Sequence, residues 1–285
     1  MKTEIASIGG NPILSLNEIR QQAPSVFGKK KQAHLSEDYH QFPTSIVVED
    51  LMKLGWMPVL AVELKIRKEK NAGFQKHMVK FRNPNVTITN EQGEIEMYPE
   101  ILITNSHDGK NVFKFGAGIY RLVCENGLVI QSESFGDKKI RHKGYTFSVC
   151  REMVNDIVLE LPNVLEQIGK MKEKSLTKPQ QNDFAIGAQA IRWPELRGKK
   201  DVEERDLLEV ERDEDKGDNL WNVFNRVQEK IINGGVYSIR DRKVREVKNF
   251  TQKNKINTAM WNSPQAICSN RGVLLQCMVI SLKCD

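Results

Sequence analysis

Five histidines, His34, His40, His77, His107 and His142, lie in the first half of the chain and are its best candidates for proton transfer or metal ligation. Their spacing favours neither. None stands four residues from another, as a helical metal pair requires, and the five cysteines contain no C-x-x-C pair. His107-Asp108 is a candidate hydrolytic or nuclease centre, but no G-x-S-x-G elbow supplies a nucleophile. The same two residues equally suit a turn whose backbone they hydrogen-bond. Cys124 is a candidate nucleophile beside His107 or His142, although a strand cysteine is more commonly a small buried apolar residue. There is no phosphate-binding G-x-x-x-x-G-K-[ST] loop, and Gly116-Ala-Gly118 lacks the strand-turn-helix context of a dinucleotide fingerprint. No catalytic residue is assigned, and no metal or cofactor is expected.

The cations make a stronger pattern. Net charge is +6 over 285 residues, and it is unevenly placed. Residues 62–82 carry seven Lys/Arg against two acids, and residues 234–255 repeat that balance, each block netting +5. Residues 201–218 net −7. Blocks of this kind report on partners more than the total does, although a solvated face is the plain alternative for any one of them. Lys65, Arg67, Lys80, Arg82, Arg141, Arg240, Arg242 and Arg245 are the candidate phosphate contacts, with Phe74, Phe81, Tyr120, Phe135 and Tyr145 near enough in sequence to stack on bases.

The elements that must position these residues follow from periodicity. A lead-in of 1–45 holds one short helix over 14–22. A second helix over 46–54 is capped by Thr44 or Ser45 and ended by Gly55. From Pro58 the period becomes two. Leu60, Val62, Leu64 and Ile66 alternate with Ala61, Glu63, Lys65 and Arg67, and His77, Val79 and Phe81 alternate with Lys76, Met78, Lys80 and Arg82. If the two strands pair, their polar sides make one basic surface. Further strands are expected over 98–104, 111–115, 119–124 and 128–131, joined by turns whose Asp-Gly and Asn-Gly pairs supply positive φ. Then the period turns helical. Val149, Met153, Ile157, Leu161 and Ile168 mark a long amphipathic helix that Pro162 kinks or interrupts. Residues 175–182 read as a linker and 195–218 as a charged stretch. A helix follows, capped by Asp218, with Leu220, Val223, Phe224, Val227 and Ile231 on one face, and it stops at Asn233-Gly-Gly235.

The expected fold class is α+β: an antiparallel strand-rich meander, a long packed helix, and a helical C-terminal region. The expected divisions are 1–45, a core over 46–175, a charged helical region over 176–262, and an atypical cysteine-rich tail over 263–285 that begins where Ser263-Pro264 breaks a helix. No apolar run approaches the roughly 20 residues that span a bilayer, and Met1–Gly10 has no apolar signal core, so no membrane partner and a reducing cytoplasm are expected.

Several motifs also carry a resemblance. They include Ala23-Pro-Ser-Val-Phe-Gly28, the segment from Tyr39 to Pro43-Thr44, Gly55-Trp-Met-Pro58, Lys76-His-Met-Val-Lys-Phe-Arg82, Pro99-Glu-Ile101, Asn105-Ser-His-Asp-Gly109 and Arg121-Leu-Val-Cys-Glu-Asn-Gly127. His142-Lys-Gly144, Leu220-Trp221, Gly234-Gly235 and the segment from Asn257 to Trp261 complete the set. Together, over about 22–262, they resemble the domain-of-unknown-function family numbered 932, common on prophages and conjugative plasmids. The resemblance implies a phage or plasmid protein acting on incoming or replicating DNA. His77, Asn105, His107, Asp108, Arg121 and Asn126 form its family-specific centre, with no role assigned. The element order is also similar to phage-type single-strand annealing proteins, which implies a homo-oligomer. The expected function is therefore non-catalytic binding of nucleic acid, single-stranded DNA above all. The alternatives are an anti-defence protein acting on a host protein or nucleotide signal, with 201–218 as its acidic face, and a hydrolase or nuclease centred on His107 and Asp108.

Overall fold

The structure, a computed structural model, describes residues 6–29, 43–66, 72–90, 92–109, 113–122, 126–130, 138–140, 145–196 and 201–268, the backbone alone for 126–130, 138–140 and 264–268. The chain divides into two compact units, Met1–Leu161 and Pro162–Asp285. The first holds the sheet and the second is helical, so the α+β expectation is met.

In the first unit a small hairpin, β1 (Ser7–Ile8) and β2 (Asn11–Pro12), leads to α1 (Leu16–Gln22) and a 3-10 turn over Pro24–Phe27. Ser15 and Glu18 close α1 with a reciprocal capping box, which satisfies two N-terminal donors that would otherwise need water. Helix α2 is Thr44–Lys53, and Pro43 rather than Thr44 or Ser45 stands at its N-cap. The Thr44 hydroxyl is engaged elsewhere, as described below.

The sheet follows: β3 (Met57–Glu63), β4 (His77–Arg82), β5 (Ile88–Thr89), β6 (Ile95–Asn105), β7 (Phe113–Arg121), β8 (Asn126–Ile130) and β9 (Lys138–Ile140). All pairings are antiparallel, in the order β3-β4-β6-β7-β8, with β5 on β6 and β9 on β7. The two strands expected over 111–115 and 119–124 are a single strand. Gly116-Ala-Gly118 does not break it, because β6 pairs along its whole length, placing Gly116 opposite Leu102 and Gly118 opposite Glu100.

Both sheet faces are covered, and this overturns the expectation of one apolar and one cationic face. Val79, Phe81, Ile101 and Ile103 lie fully buried on the side that receives the 3-10 turn and α2. On the other side, Val59, Tyr98 and Tyr120 pack with Ile8 of the N-terminal hairpin, and Met78 is buried as well. The described part of the lead-in thus packs over the sheet, tied down by Leu14 N–H donating to the Pro58 carbonyl at 2.8 Å.

Helix α3 (Phe147–Glu173) carries Pro162 in its interior without interruption, and the division between the two units falls at that proline. The second unit continues with α4 (Lys178–Arg192), α5 (Glu204–Leu208), α6 (Leu220–Asn233) and α7 (Phe250–Cys268). The expected linker over 175–182 is instead the start of α4, where Thr177 and Gln180 form another capping box. Asn219, not Asp218, caps α6, its Oδ1 accepting from Asn222 N at 2.8 Å. Helix α7 runs through Ser263-Pro264 to Cys268, so the break expected there does not occur. The core of the unit is aromatic: Phe224 stacks on Trp221 (6.0 Å between centroids), meets Trp261 edge-on and touches Phe184.

Beyond α6 the chain turns at Gly234 (φ +71°) into a short arm. Gly235 N–H donates to Val244 O, Val244 N–H to Val236 O and Ser238 N–H to Arg242 O, closing a tight hairpin around Asp241 (φ +55°). A Cβ at Gly234 would collide with the Val244 carbonyl, whereas one at Gly235 (φ +89°) would meet nothing within 4 Å. Gly234→Ala is therefore expected to destabilise the protein by more than the roughly 1–2 kcal/mol of left-handed strain alone. Gly235→Ala, bearing the strain without the collision, should cost less, and urea unfolding of the two variants side by side checks the difference.

Candidate functional site

Of the family-specific centre, His77, Asn105 and His107 come together beside Ser25 and the start of α2. Asp108 stands in the adjoining turn, and Arg121 and Asn126 lie at the far end of β7. Register places His77 opposite Asn105 across β4 and β6, so both side chains point to one face. His77 is fully buried. Its Nε2 lies 2.8 Å from Thr44 Oγ1, and its Nδ1 lies 2.9 Å from Ser25 Oγ and 3.1 Å from the Gln75 carbonyl. Asn105 Nδ2 donates to the same Thr44 hydroxyl at 3.0 Å. A neutral imidazole fits this set. With the proton on Nδ1 facing Gln75 O, Nε2 accepts from Thr44, whose oxygen accepts from Asn105. Burial first, then the neighbouring His107, push the His77 pKa down to about 3.

His107 is also fully buried, 5.2 Å from His77 between ring centroids, and its Nε2 donates to the Ser25 carbonyl at 2.8 Å. Gly28 explains how the rings fit, since a Cβ there would press to 2.8 Å from His107 Cδ2. Asp108 accepts from Ser106 Oγ at 2.6 Å in the turn. Glu63 closes the cluster, accepting from Ser25 N–H at 2.9 Å and from Gln75 Nε2 at 3.0 Å. These bonds fasten the 3-10 turn and α2 to the sheet, so His107 acts as an internal fastener and reaches no surface. Arg121 is nearly buried at the end of β7, paired in register with Asn126, whose backbone alone is described.

Lys80 and Arg82 do not form the expected phosphate surface. Glu100 is fully buried, with Lys80 Nζ at 2.9 Å from one oxygen and Arg82 Nε at 2.9 Å from the other. Burial pushes the Glu100 carboxyl up, but the two cations overcome that and hold it below its usual value. Arg82 also donates to the Ile8 carbonyl at 2.8 Å and to Asn11 Oδ1 at 2.9 Å, and it lies over the Tyr120 ring at 3.4 Å. It thereby clamps the N-terminal hairpin. Three of the expected stacking residues are similarly committed, and Phe74 is half-buried. Phe81 and Tyr120 are core, and Tyr145 donates to Asp50 Oδ2 at 2.9 Å, with burial pushing its phenol up. Arg67, Arg141, Phe135, Cys124, His34, His40 and His142 lie outside the described residues. Lys65 is exposed just past β3.

The arm is different. Arg240, Arg242, Lys243, Arg245 and Lys248 are all exposed, and no carboxylate pairs with any of them among the described residues. The backbone beneath is held from three sides. Ile239 N–H donates to Asp201 O at 2.6 Å, Val247 N–H to Ile232 O at 2.9 Å, and Arg192 Nη2 to Arg245 O at 3.0 Å. Gln189 fixes the support, its amide bonding the backbone of Asp201 and Val202 at 2.9 Å. The acidic block, by contrast, is largely paired: Arg212 with Asp215 and Glu229, Lys230 with Glu209 and Glu211, Lys216 with Asp213, and Lys178 with Asp218.

Comparison with known proteins decides the family. The family model described as domain of unknown function (DUF932) matches residues 32–261. The chain belongs to this family. Two relatives, both from Escherichia coli (strain K12), are the UPF0380 proteins YafZ and YfjQ. YafZ is 32% identical over 259 residues, covering 89% of this chain and 91% of its own; YfjQ is 32% identical over 253 residues, covering 87% and 89%. No solved structure matches.

Within this DUF932 chain, the sequence reading missed Ser25, Thr44 and Glu63 as partners of the named centre, and Glu100 as the partner of Lys80 and Arg82. Three of them stand inside quoted motifs, Ala23 to Gly28, Pro43-Thr44 and Pro99 to Ile101, so a signal was present. Tyr237, on the arm beside Gly234-Gly235, carried no motif of its own.

The His77 cluster has a pH consequence. An unfolded histidine titrates near 6.5 and the folded one near 3, so between those values only the unfolded chain takes up the proton. Stability therefore rises with pH up to about 6.5 and falls on acidification, by about 2 kcal/mol from this group between pH 7 and pH 5. Urea unfolding at the two pH values should show a smaller drop for His77→Gln than for the native sequence.

Proposed function

We propose that this protein binds nucleic acid without chemical turnover, preferring single-stranded DNA, through the cationic arm of residues 237–248, and that it serves a phage or plasmid. One observation carries the reading: five exposed cations free of carboxylate partners sit on a backbone fixed from three sides. Surface cations that serve only solubility are commonly interspersed with acids. Here only Asp241 and Glu246 interrupt them, and Glu246 is turned to Lys253 at 3.6 Å. A backbone fixed in this way loses little conformational freedom on meeting a polyphosphate chain, and each contact releases condensed counterions. The buried centre around His77 and His107 supports the fold in this reading and takes no part in binding.

The test is affinity for a labelled single-stranded oligonucleotide and its duplex across a salt series, without metal. The native protein should show steeply salt-dependent binding. Replacing Arg240, Arg242 and Arg245 together by Ala should flatten the slope of log K against log salt by about 2, at roughly 0.7 per lost phosphate contact on a single strand. Arg205→Ala, which removes an exposed cation beside Asp206, should leave the slope unchanged. No binding to either form would sink the reading.

A further inference from the structure

The cations of the arm explain attraction to phosphate, but phosphate is common to single strands and duplexes. A preference between them needs a group that reads unpaired bases. Among the large side chains at the surface, Tyr237 stands out. It is 53% exposed, more than any other described aromatic residue, while Trp221, Phe224 and Trp261 are spent on the core of the same unit. Its place is also fixed. Tyr237 pairs with Lys243 across the hairpin, so the two side chains leave the same face, an aromatic ring beside an ammonium. The backbone on either side is bonded at Val236 to Val244 and at Ser238 to Arg242, and the Ser238 hydroxyl, nearly buried, accepts from Arg242 N–H at 3.2 Å. Among the described residues no cation lies over the Tyr237 ring. Ile239, two residues on and 51% exposed, adds a second apolar side chain at the tip.

We propose that Tyr237 is the base-stacking residue of the arm, taking one unpaired nucleobase on its ring while Lys243 and the neighbouring arginines hold the adjoining phosphates. This rests on the nucleic-acid reading above and deepens it: the cations set the affinity and Tyr237 sets the strand preference. In a duplex each base face is already stacked on its neighbours, so the ring has nothing to receive. In a single strand any base serves, because every base has a π-face, and the preference is for strandedness rather than sequence.

The experiment compares the native protein, Tyr237→Ala and Tyr237→Phe on one oligonucleotide as single strand and as duplex, over a salt series. Tyr237→Ala should weaken single-strand binding by about fivefold or more, as loss of one stacked base does, leave duplex binding unchanged and keep the native salt slope. Tyr237→Phe, which keeps the ring, should bind like the native protein, which separates stacking from any role of the hydroxyl. Matching urea midpoints for all three proteins exclude a folding defect as the cause. If the native protein binds in a salt-dependent way and Tyr237→Ala keeps the native ratio of single-strand to duplex affinity, the stacking role is overturned and the cationic arm stands. If the native protein binds neither form, both fall together, and the arm is left to an acidic protein partner.

Discussion

The sheet unit depends on two buried polar clusters. One is the neutral imidazole of His77, held between hydroxyls contributed by a 3-10 turn and a helix that are far apart in sequence. The other is the Glu100 carboxylate between Lys80 and Arg82. Each lies on its own side of β4, and each recruits a piece of the N-terminal segment: Ser25 and Thr44 on one face, the Ile8 carbonyl and Asn11 on the other. Polar groups in an interior are tolerable only when fully partnered, so these contacts specify position in a way that apolar burial alone does not. The lead-in cannot slide along the sheet without orphaning a charge or an imidazole.

That arrangement explains where sequence reading succeeded and where it failed. Alternation found β4, and the 3.6-residue period found α3 and α6, because those patterns are local. Strand β3 was found but runs Met57–Glu63, with Ala61 and Glu63 rather than Leu60 and Val62 on the His77 side, because a register shift between Pro58 and Leu60 resets the faces. Whether the polar side of a strand faces water is not local. Lys76, Met78, Lys80 and Arg82 have the alternation of a solvated edge, yet Arg82 is buried, because Glu100 lies opposite it 18 residues later and the lead-in folds over both. Glycine misled in the same way. Gly116 and Gly118 look like a turn when read alone, but β6 already fixes the backbone there and needs no side chain from them.

Prolines show the complementary lesson. Pro162 and Pro264 each lack the N–H that an internal helical position donates, and each reads as a boundary. Both helices pass through. Pro162 nonetheless marks a real division, since the contacts of the chain separate into two units there, although it does not interrupt the helix. The centre residues His77, Asn105 and His107 were legible as special but not as fasteners, because their partners Ser25 and Thr44 arrive from elements that no periodicity connects to them.

The arm divides its labour between backbone and side chains unusually cleanly. Its path is set by main-chain bonds, by Gly234, and by the small buried hydroxyl of Ser238. Among the described residues, Arg240, Arg242 and Lys243 contribute no side-chain bond to that path. The charged positions are therefore decoupled from foldability, and drift at them changes what the surface attracts while the scaffold stays intact. In a protein built this way single substitutions can alter the surface charge of the arm while the framework residues hold its backbone geometry constant.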